Sequence, residues 1–151
     1  MRKRAAGYVV NLLMFAYLGL GVWAVIRDSI FWGVLYIILI GLSFVVVAYA
    51  WCAKCPCRSA ACTHIWVGKL TKSLPQRKPG KYTPGDWVGQ VVYLMGLHLL
   101  PQYWLWQDKV LFALFWALAL AAFLVGPLYA CKGCPNKHCY VGQLQSARQS
   151  S

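Results

Sequence analysis

The sequence predicts an all-α integral membrane protein with four transmembrane helices, arranged as two parallel-repeat hairpins that each end in a Cys/His knuckle. Composition carries the first part of this prediction. Of the 151 residues, 60% are hydrophobic and 12% are charged, whereas a soluble domain has about 25% charged residues. The mean hydropathy is +0.54, and only three residues are acidic. A soluble surface needs more charge than this, so the bilayer is the expected environment.

Four apolar segments are long enough to cross a bilayer, which takes about 20 mainly apolar residues. They are Tyr8 to Ile26, Ile30 to Trp51, Trp87 to Trp106 and Val110 to Ala130. None contains an ionised side chain, and short turns holding Asp28 and Asp108 join them into two hairpins. The basic start Met-Arg-Lys-Arg leaves a cleaved signal peptide as the alternative for the first segment. That segment is longer than a typical signal-peptide core, and no small-residue cleavage site follows it.

Positive charge is expected to set the orientation, because Lys and Arg are retained on the cytoplasmic side. Of the 15 basic residues, the two hairpin turns hold only Arg27 and Lys109. Both termini and both Cys clusters are therefore expected on the cytoplasmic side of the inner membrane. Amphipathic indole rings favour the interfaces, with Trp23, Trp32, Trp104 and Trp106 expected at the outer one and Trp51 and Trp87 at the inner one. This bias and anionic membrane lipid explain the net charge of +12, and no nucleic-acid-binding motif accompanies it.

The two hairpins resemble each other, which predicts an internal duplication. Tyr-Ala-Trp-Cys52-x-x-Cys55-Pro ends the first, and Tyr-Ala-Cys131-x-x-Cys134-Pro ends the second. Each copy has two spans, so both enter the membrane from the same side, related by an axis along its normal. The expected organisation is a first hairpin with its knuckle over 1–68, a basic Pro/Gly linker over 69–86, a second hairpin with its knuckle over 87–144, and a disordered tail over 145–151.

All seven cysteines lie in the two knuckles, together with two of the three histidines. The candidate metal ligands are Cys52, Cys55, Cys57, Cys62 and His64 in the first knuckle, and Cys131, Cys134, His138 and Cys139 in the second. Cys pairs separated by two residues, with further Cys and His nearby, have the spacing of zinc or iron–sulfur ligands. Structural disulfides are disfavoured because the cytoplasm keeps thiols reduced. The sequence leaves open whether the knuckles form one shared site or two.

Zinc and iron–sulfur both fit this ligand set. Three Cys and one His per knuckle make a common tetrahedral zinc site, which would lock the cytoplasmic ends of the hairpins together. Pro56 and Pro135, each directly after a Cys, favour iron–sulfur, because a Pro follows a ligating Cys in ferredoxin-type runs. Thiol–disulfide exchange is a third interpretation, disfavoured by the cytoplasmic location.

The paired Cys-Pro knuckles of a four-span chain resemble those of the membrane quinol-dehydrogenase subunits of the periplasmic nitrate-reduction and nitrous-oxide-regulator type. Those subunits carry duplicated Cys-x-x-x-Cys-Pro motifs at cytoplasmic helix ends. The resemblance rests on Cys52, Cys55, Cys131 and Cys134, here spaced by two residues rather than three. With an iron–sulfur cluster at the membrane face, the expected role is electron transfer between a soluble donor and a quinone or a partner subunit, and the expected partners are other membrane or redox subunits.

One ionisable side chain, His98, lies within a predicted span. Such a group is a functional candidate, here as a quinone contact. A haem held by two histidines of one chain is excluded, because no second His lies in any span. We favour instead a neutral His bonded to a neighbouring helix or to carbonyls freed by Pro101. The chain has no Glu and no nucleophile–base constellation. The expected function is therefore an iron–sulfur electron-transfer subunit that is not catalytic alone, with a structural-zinc scaffold or assembly subunit as the alternative.

Overall fold

The structure is a computed structural model that describes residues 2–55, 70–71, 73–78 and 80–130. Within these ranges the regular structure is helical, with no strand. The α-helices are α1 (Arg2–Ile26), α2 (Ile30–Ala50), α3 (Pro84–Leu99), α4 (Gln102–Leu105) and α5 (Lys109–Val125). A 3₁₀ turn (Cys52–Lys54) follows α2, and a π-helical turn (Gly126–Ala130) follows α5. The all-helical prediction is thus confirmed for the described residues.

Two of these helical segments, Ala5–Ile26 and Ile30–Lys54, are long and apolar enough to cross a membrane. The shorter helix Lys109–Val125 is also apolar. The first two segments coincide with the first predicted hairpin. Its turn is tight because Gly33 packs against the end of α1: a Cβ at Gly33 would lie 2.1 Å from Cγ1 of Ile26 and 3.2 Å from its Cα. Only a residue without a side chain allows this approach.

The third predicted span differs from the structure, which divides it at Pro101. Helix α3 ends at Leu99 and α4 begins at Gln102, because Pro has no N–H to donate to the carbonyl of Leu97. The hydroxyl of Tyr36 on α2 donates to that carbonyl instead, at 2.8 Å. The Nε2 group of Gln102 donates to the carbonyl of His98. Side chains therefore satisfy the backbone groups that the break releases.

The two hairpins run in the same direction. At one end, the indole N–H of Trp104 donates to Asp28 in the first hairpin turn at 2.9 Å. At the other end, Lys54 after α2 forms an ion pair with Asp86 in the first turn of α3. Trp51 and Trp87 also meet at this second end, with ring centroids 4.8 Å apart. The structure therefore has one end formed by the hairpin turns and one formed by the Cys52–Lys54 turn.

Helix α1 packs along α5, and α2 packs along α3. If the two hairpins are exchanged, so that α1 takes the place of α3 and α2 the place of α5, the contact between α1 and α5 becomes the contact between α3 and α2. The core between them contains aromatic and aliphatic side chains that are fully buried, namely Val25, Tyr36, Leu105 and Phe115. Each long helix of the first hairpin thus packs along one long helix of the second.

Candidate functional site

The first predicted Cys pair lies on a tight turn directly after α2. Trp51 ends the helix, Cys52–Lys54 form the 3₁₀ turn, and the N–H of Cys55 donates to the carbonyl of Cys52 at 3.1 Å. Both cysteines are half-buried. Residues i and i+3 lie above one another in 3₁₀ geometry, so the turn presents Cys52 and Cys55 as neighbours. Two neighbouring thiols are half of a tetrahedral ligand set.

The other predicted ligands lie outside the described residues. These are Cys57, Cys62, His64, Cys131, Cys134, His138 and Cys139. Among residues 2–55, 70–71, 73–78 and 80–130, no three Cys, His, Asp or Glu side chains come together as a metal site. The described part of the candidate site is therefore the Cys52–Cys55 turn and the residues that hold it.

Asp86 holds this turn from the second hairpin. Its carboxylate forms ion pairs with Lys54, which lies between the two cysteines, and with Arg77 of the linker, where Nη1 is 2.6 Å from Oδ1. Lys54 and Asp86 are buried, with 7% and 6% of their side chains exposed. The backbone N–H of Arg77 also donates to the carbonyl of Ala53 at 3.3 Å. The turn is thus held by the side chain of Lys54 and by the backbone carbonyl of Ala53.

The local sequence Thr83-Pro-Gly-Asp86 explains why Asp86 occupies this position. Thr83 is the N-cap of α3 and Pro84 its first residue, as Pro at this position has a φ suited to a helix start. The backbone N–H and the hydroxyl of Thr83 each donate to Oδ2 of Asp86 at 2.8 Å, and Thr83 Oγ1 accepts from the Asp86 N–H at 3.4 Å. This reciprocal capping box orients the carboxylate before it meets Lys54 and Arg77.

The Asp86 carboxylate remains ionised in this site. Burial alone would raise its pKa, but the hydrogen bonds from Lys54, Arg77 and Thr83 together lower the pKa below its ordinary value. A buried carboxylate is stable only with such partners. At neutral pH the site therefore contains an ionised carboxylate between two cations, beside the two cysteines.

Aromatic rings pack around the same end of the bundle. The Trp51 ring stacks on Tyr82 with centroids 4.9 Å apart, and Trp87 meets its edge. The Arg77 guanidinium lies over the ring of Tyr49, 4.9 Å from its centroid. These rings and the ion pairs attach the linker to α2 and α3. This anchor was not predicted from the sequence, although the Thr-Pro-Gly-Asp helix start is a signal for it.

His98 lies in the helical core, away from the Cys turn. It is 8% exposed, and its Nδ1 is 2.7 Å from the carbonyl of Leu94 on its own helix. A carbonyl only accepts, so Nδ1 carries a proton. Nε2 has no hydrogen-bond partner among the described residues. The carbonyl freed by Pro101 accepts from Tyr36 instead. Among the described residues, His98 therefore bonds neither to that carbonyl nor to a neighbouring helix, as was expected, but to Leu94 on its own helix.

Four aromatic rings surround the imidazole of His98. The centroid distances are 5.6 Å to Tyr17, 6.2 Å to Phe115, 6.0 Å to Trp116 and 5.5 Å to Phe123. These rings belong to α1 and α5, so His98 connects three helices by packing. A structural role accounts for the contacts that the described residues make.

No family model matches the chain, and it has no significant match among curated proteins or solved structures. A function is therefore inferred from the chemistry of the chain's own residues. The described site offers two neighbouring thiols on a turn whose position is fixed by Asp86. Thiolates bind soft and borderline metals, and a fixed turn reduces the conformational entropy that ligands lose on binding.

Proposed function

We propose that the chain is a four-span protein of the cytoplasmic membrane whose Cys/His knuckles bind an iron–sulfur cluster on the cytoplasmic face. It would act as an electron-transfer subunit of a larger membrane redox complex. The observation that carries this proposal is the fixed Cys52–Cys55 turn, which Lys54 and Asp86 attach to the second hairpin.

The outward faces of the helices support the membrane placement. Large apolar side chains are exposed along all four long helices, including Leu12 at 71%, Ile30 at 73%, Val88 at 62% and Val110 at 75%. Soluble monomers rarely expose contiguous apolar surface of this kind. The tryptophans also separate by end, since Trp32 contacts Trp104 and Trp51 contacts Trp87. Two such groups suit the two interfaces of a bilayer.

The common direction of the hairpins supports a joint metal region. Helix α2 leads into Cys52, and the π-helical turn after α5 leads directly into Cys131. Since the hairpin turns share one end, the chain leaves both second helices at the opposite end. In the proposal Cys52 and Cys55 contribute two ligands, and the Cys and His residues of 57–64 and 131–139 contribute the others.

The surroundings of the Cys52–Cys55 turn suit an anionic cluster. Lys54 and Arg77 carry one positive charge more than Asp86 balances, and cations stabilise thiolates. Trp51, which precedes Cys52 in the chain, packs against the rings of Tyr82 and Trp87, and solvent exposure is one of the factors that set a cluster's reduction potential. Such a cluster would supply one-electron transfer at the membrane surface. His98 is left out of this proposal, because the packed rings around it account for its position.

A structural zinc site is the second candidate, favoured by a different feature of the same turn. Lys54, Ala53 and Trp51 all contact residues of the linker or of α3, so the turn joins the two hairpins mechanically. Helices in lipid gain little from hydrophobic contact with each other, and a zinc ion would strengthen this junction without redox chemistry. The chain would then be a scaffold or assembly subunit.

The two candidates are separated by the metal itself. We expect protein purified anaerobically in detergent to contain iron and acid-labile sulfide, with a visible absorption band that bleaches and an EPR signal that changes on adding dithionite. The variants Cys52→Ser and Cys55→Ser should lose iron, whereas Ser43→Ala, a small change in the middle of α2, should keep it. Stoichiometric zinc with a featureless spectrum would replace the first proposal by the second. Metal-free protein would contradict both.

A further inference from the structure

A groove lies at the surface where the end of α2 meets the start of α3. Its volume is about 450 Å³. Its walls are formed by Val45, Val46, Tyr49, Ala50, Gly85 and Gly89, and its polar head by Arg77, Thr83 and Asp86. In the proposed membrane placement this is the depth of the cytoplasmic headgroups, because Trp51 and Trp87 lie at the same end. The groove therefore has an apolar part toward the bilayer and a polar part toward the cytoplasm.

The groove exists because two positions of α3, four residues apart and so on one helix face, lack side chains. A Cβ built at Gly85 would meet nothing closer than Oγ1 of Thr83 at 3.9 Å, and one at Gly89 nothing closer than Cγ1 of Val46 at 3.8 Å. These are ordinary contacts rather than clashes. Larger residues would thus fit the backbone here and would extend into the groove.

Arg77 gives the groove a cationic head. Its guanidinium donates to Asp86 through Nη1 and lies over Tyr49. Its remaining N–H groups form no hydrogen bond within the described part of the chain, although Arg has five such donors. The side chain is 26% exposed, so those donors are accessible to a ligand. Planar guanidinium groups bind phosphate oxygens well.

The charge around the groove favours an anion. Among the described residues between positions 52 and 90, Asp86 is the single acidic residue, and four are Lys or Arg. Both oxygens of Asp86 already accept hydrogen bonds, from Lys54, Arg77 and Thr83. Its charge is therefore compensated before a ligand arrives, and the net charge of this ion cluster is positive.

We propose that this groove binds one molecule of an anionic phospholipid, with an acyl chain along Val46 and Gly89 and the phosphate on Arg77. The proposal goes beyond metal binding and rests only on the membrane placement in the proposed function. An anionic headgroup is chosen because Asp86 at the head of the groove is paired with both Lys54 and Arg77, which leaves this ion cluster with one net positive charge. An acyl chain is chosen because the walls are apolar and open toward the bilayer.

Lipid retention tests the proposal. The detergent-purified chain is offered an equimolar mixture of phosphatidylglycerol and phosphatidylcholine with identical acyl chains, and retained lipid is counted by native mass spectrometry. We expect one retained lipid per chain, and that lipid to be phosphatidylglycerol. Gly89→Leu should reduce its retention by filling the groove. Gly41→Leu is the matched control, because a Cβ at Gly41 has nothing within 4 Å and lies outside the groove.

Arg77→Gln tests the headgroup separately from the acyl chain. It should weaken phosphatidylglycerol retention roughly fivefold, the effect of about one basic residue at an anionic surface, while Arg77→Lys keeps most of it. Equal retention of the two lipids, no retained lipid, or normal retention by Gly89→Leu would overturn the proposal. Metal content measured on the same samples reports on the proposed function independently, so either proposal can fail without the other.

Discussion

The ion cluster at Asp86 is the feature whose removal should affect the molecule most. Asp86→Asn removes the charge but keeps a side-chain oxygen that can accept from the Thr83 N–H, so the helix cap is retained. The substitution removes the negative charge that compensates the positive charges of Lys54 and Arg77. The substitution therefore isolates the ion pairs from the capping box.

The expected magnitude follows from the burial of the partners. Removing one partner of a buried ion pair costs about 3–5 kcal/mol, because the other charge is left uncompensated. Lys54 would be left in this state, with 7% of its side chain exposed. The Arg77 side chain is 26% exposed and can turn toward water, so leaving it without Asp86 costs less stability than leaving Lys54 without it. We therefore expect Asp86→Asn to lower the free energy of unfolding by about 3 kcal/mol, the lower end of this range.

Unfolding in mixed dodecyl maltoside and SDS micelles, followed by tryptophan fluorescence, measures this loss. Asp28→Asn is the control: it makes the same chemical change at the other end of the bundle, where the carboxylate is exposed and accepts from Trp104. It should cost about 1 kcal/mol or less. In a Lys54→Met background, Asp86→Asn should lower the free energy of unfolding by less than it does in the wild type. The difference should be at least about 1 kcal/mol, because the two residues are coupled neighbours.

A change below about 1 kcal/mol in Asp86→Asn, together with additive effects in the double variant, would refute this account of the anchor. The pH dependence gives a second check. The pKa of Asp86 is lowered by Lys54, Arg77 and Thr83 against the effect of burial, so its ionised form supplies stability at all pH values above the unfolded pKa of about 3.9. That stability is lost only as pH falls below this value. The difference between wild type and Asp86→Asn should be constant from about pH 5 to 8 and shrink below about pH 4.

Two further predictions concern the buried Tyr36. Tyr36→Phe should cost about 1–3 kcal/mol in the same unfolding assay, because the Leu97 carbonyl loses its donor, and Pro101→Ala should reduce that cost by restoring a backbone N–H. Gly21→Ala should cost about 1–3 kcal/mol by overpacking, since its Cβ would lie 3.0 Å from the Tyr36 hydroxyl, whereas Gly19→Ala, with nothing within 4 Å of its Cβ, should not. Equal effects at the two glycines would contradict the packing seen here.

The helices could be predicted from the sequence because their signals are local. Long apolar runs and a short polar turn define α1 and α2, and the predicted boundaries at Ile26 and Ile30 agree with the structure. The break after Leu99 was not predicted, although Pro101 was visible. Pro in a membrane helix produces either a continuous kinked helix or two helices, depending on whether neighbours satisfy the freed carbonyls. Here Tyr36, 61 residues away from Leu97 in the sequence, donates to the freed carbonyl. No local sequence pattern indicates this contact.

The candidate site was predicted in part for the same reason. The spacing of Cys52 and Cys55 predicts a knuckle; the structure describes a tight turn at these residues, and the other predicted ligands lie outside the described residues. The anchor was not predicted, because Lys54, Arg77 and Asp86 are separated by up to 32 residues and each one alone resembles an ordinary interfacial charge. The capping box at Thr83 could have located Asp86 at a helix start. It could not have identified the cations that this carboxylate meets.

The anchor also explains how a metal site could respond to the arrangement of the membrane helices. Lys54 lies between the two cysteines, and its partner Asp86 lies in the first turn of α3, so a movement of α3 relative to α2 would move the turn that carries the cysteines. The same contact works in reverse: a metal that fixes Cys52 and Cys55 would restrain Lys54 and thereby α3. By linkage, metal affinity and the packing of the hairpins should then depend on each other to the same degree. Asp86→Asn should therefore weaken metal binding as well as the fold, even though Asp86 is not a ligand in the proposed site.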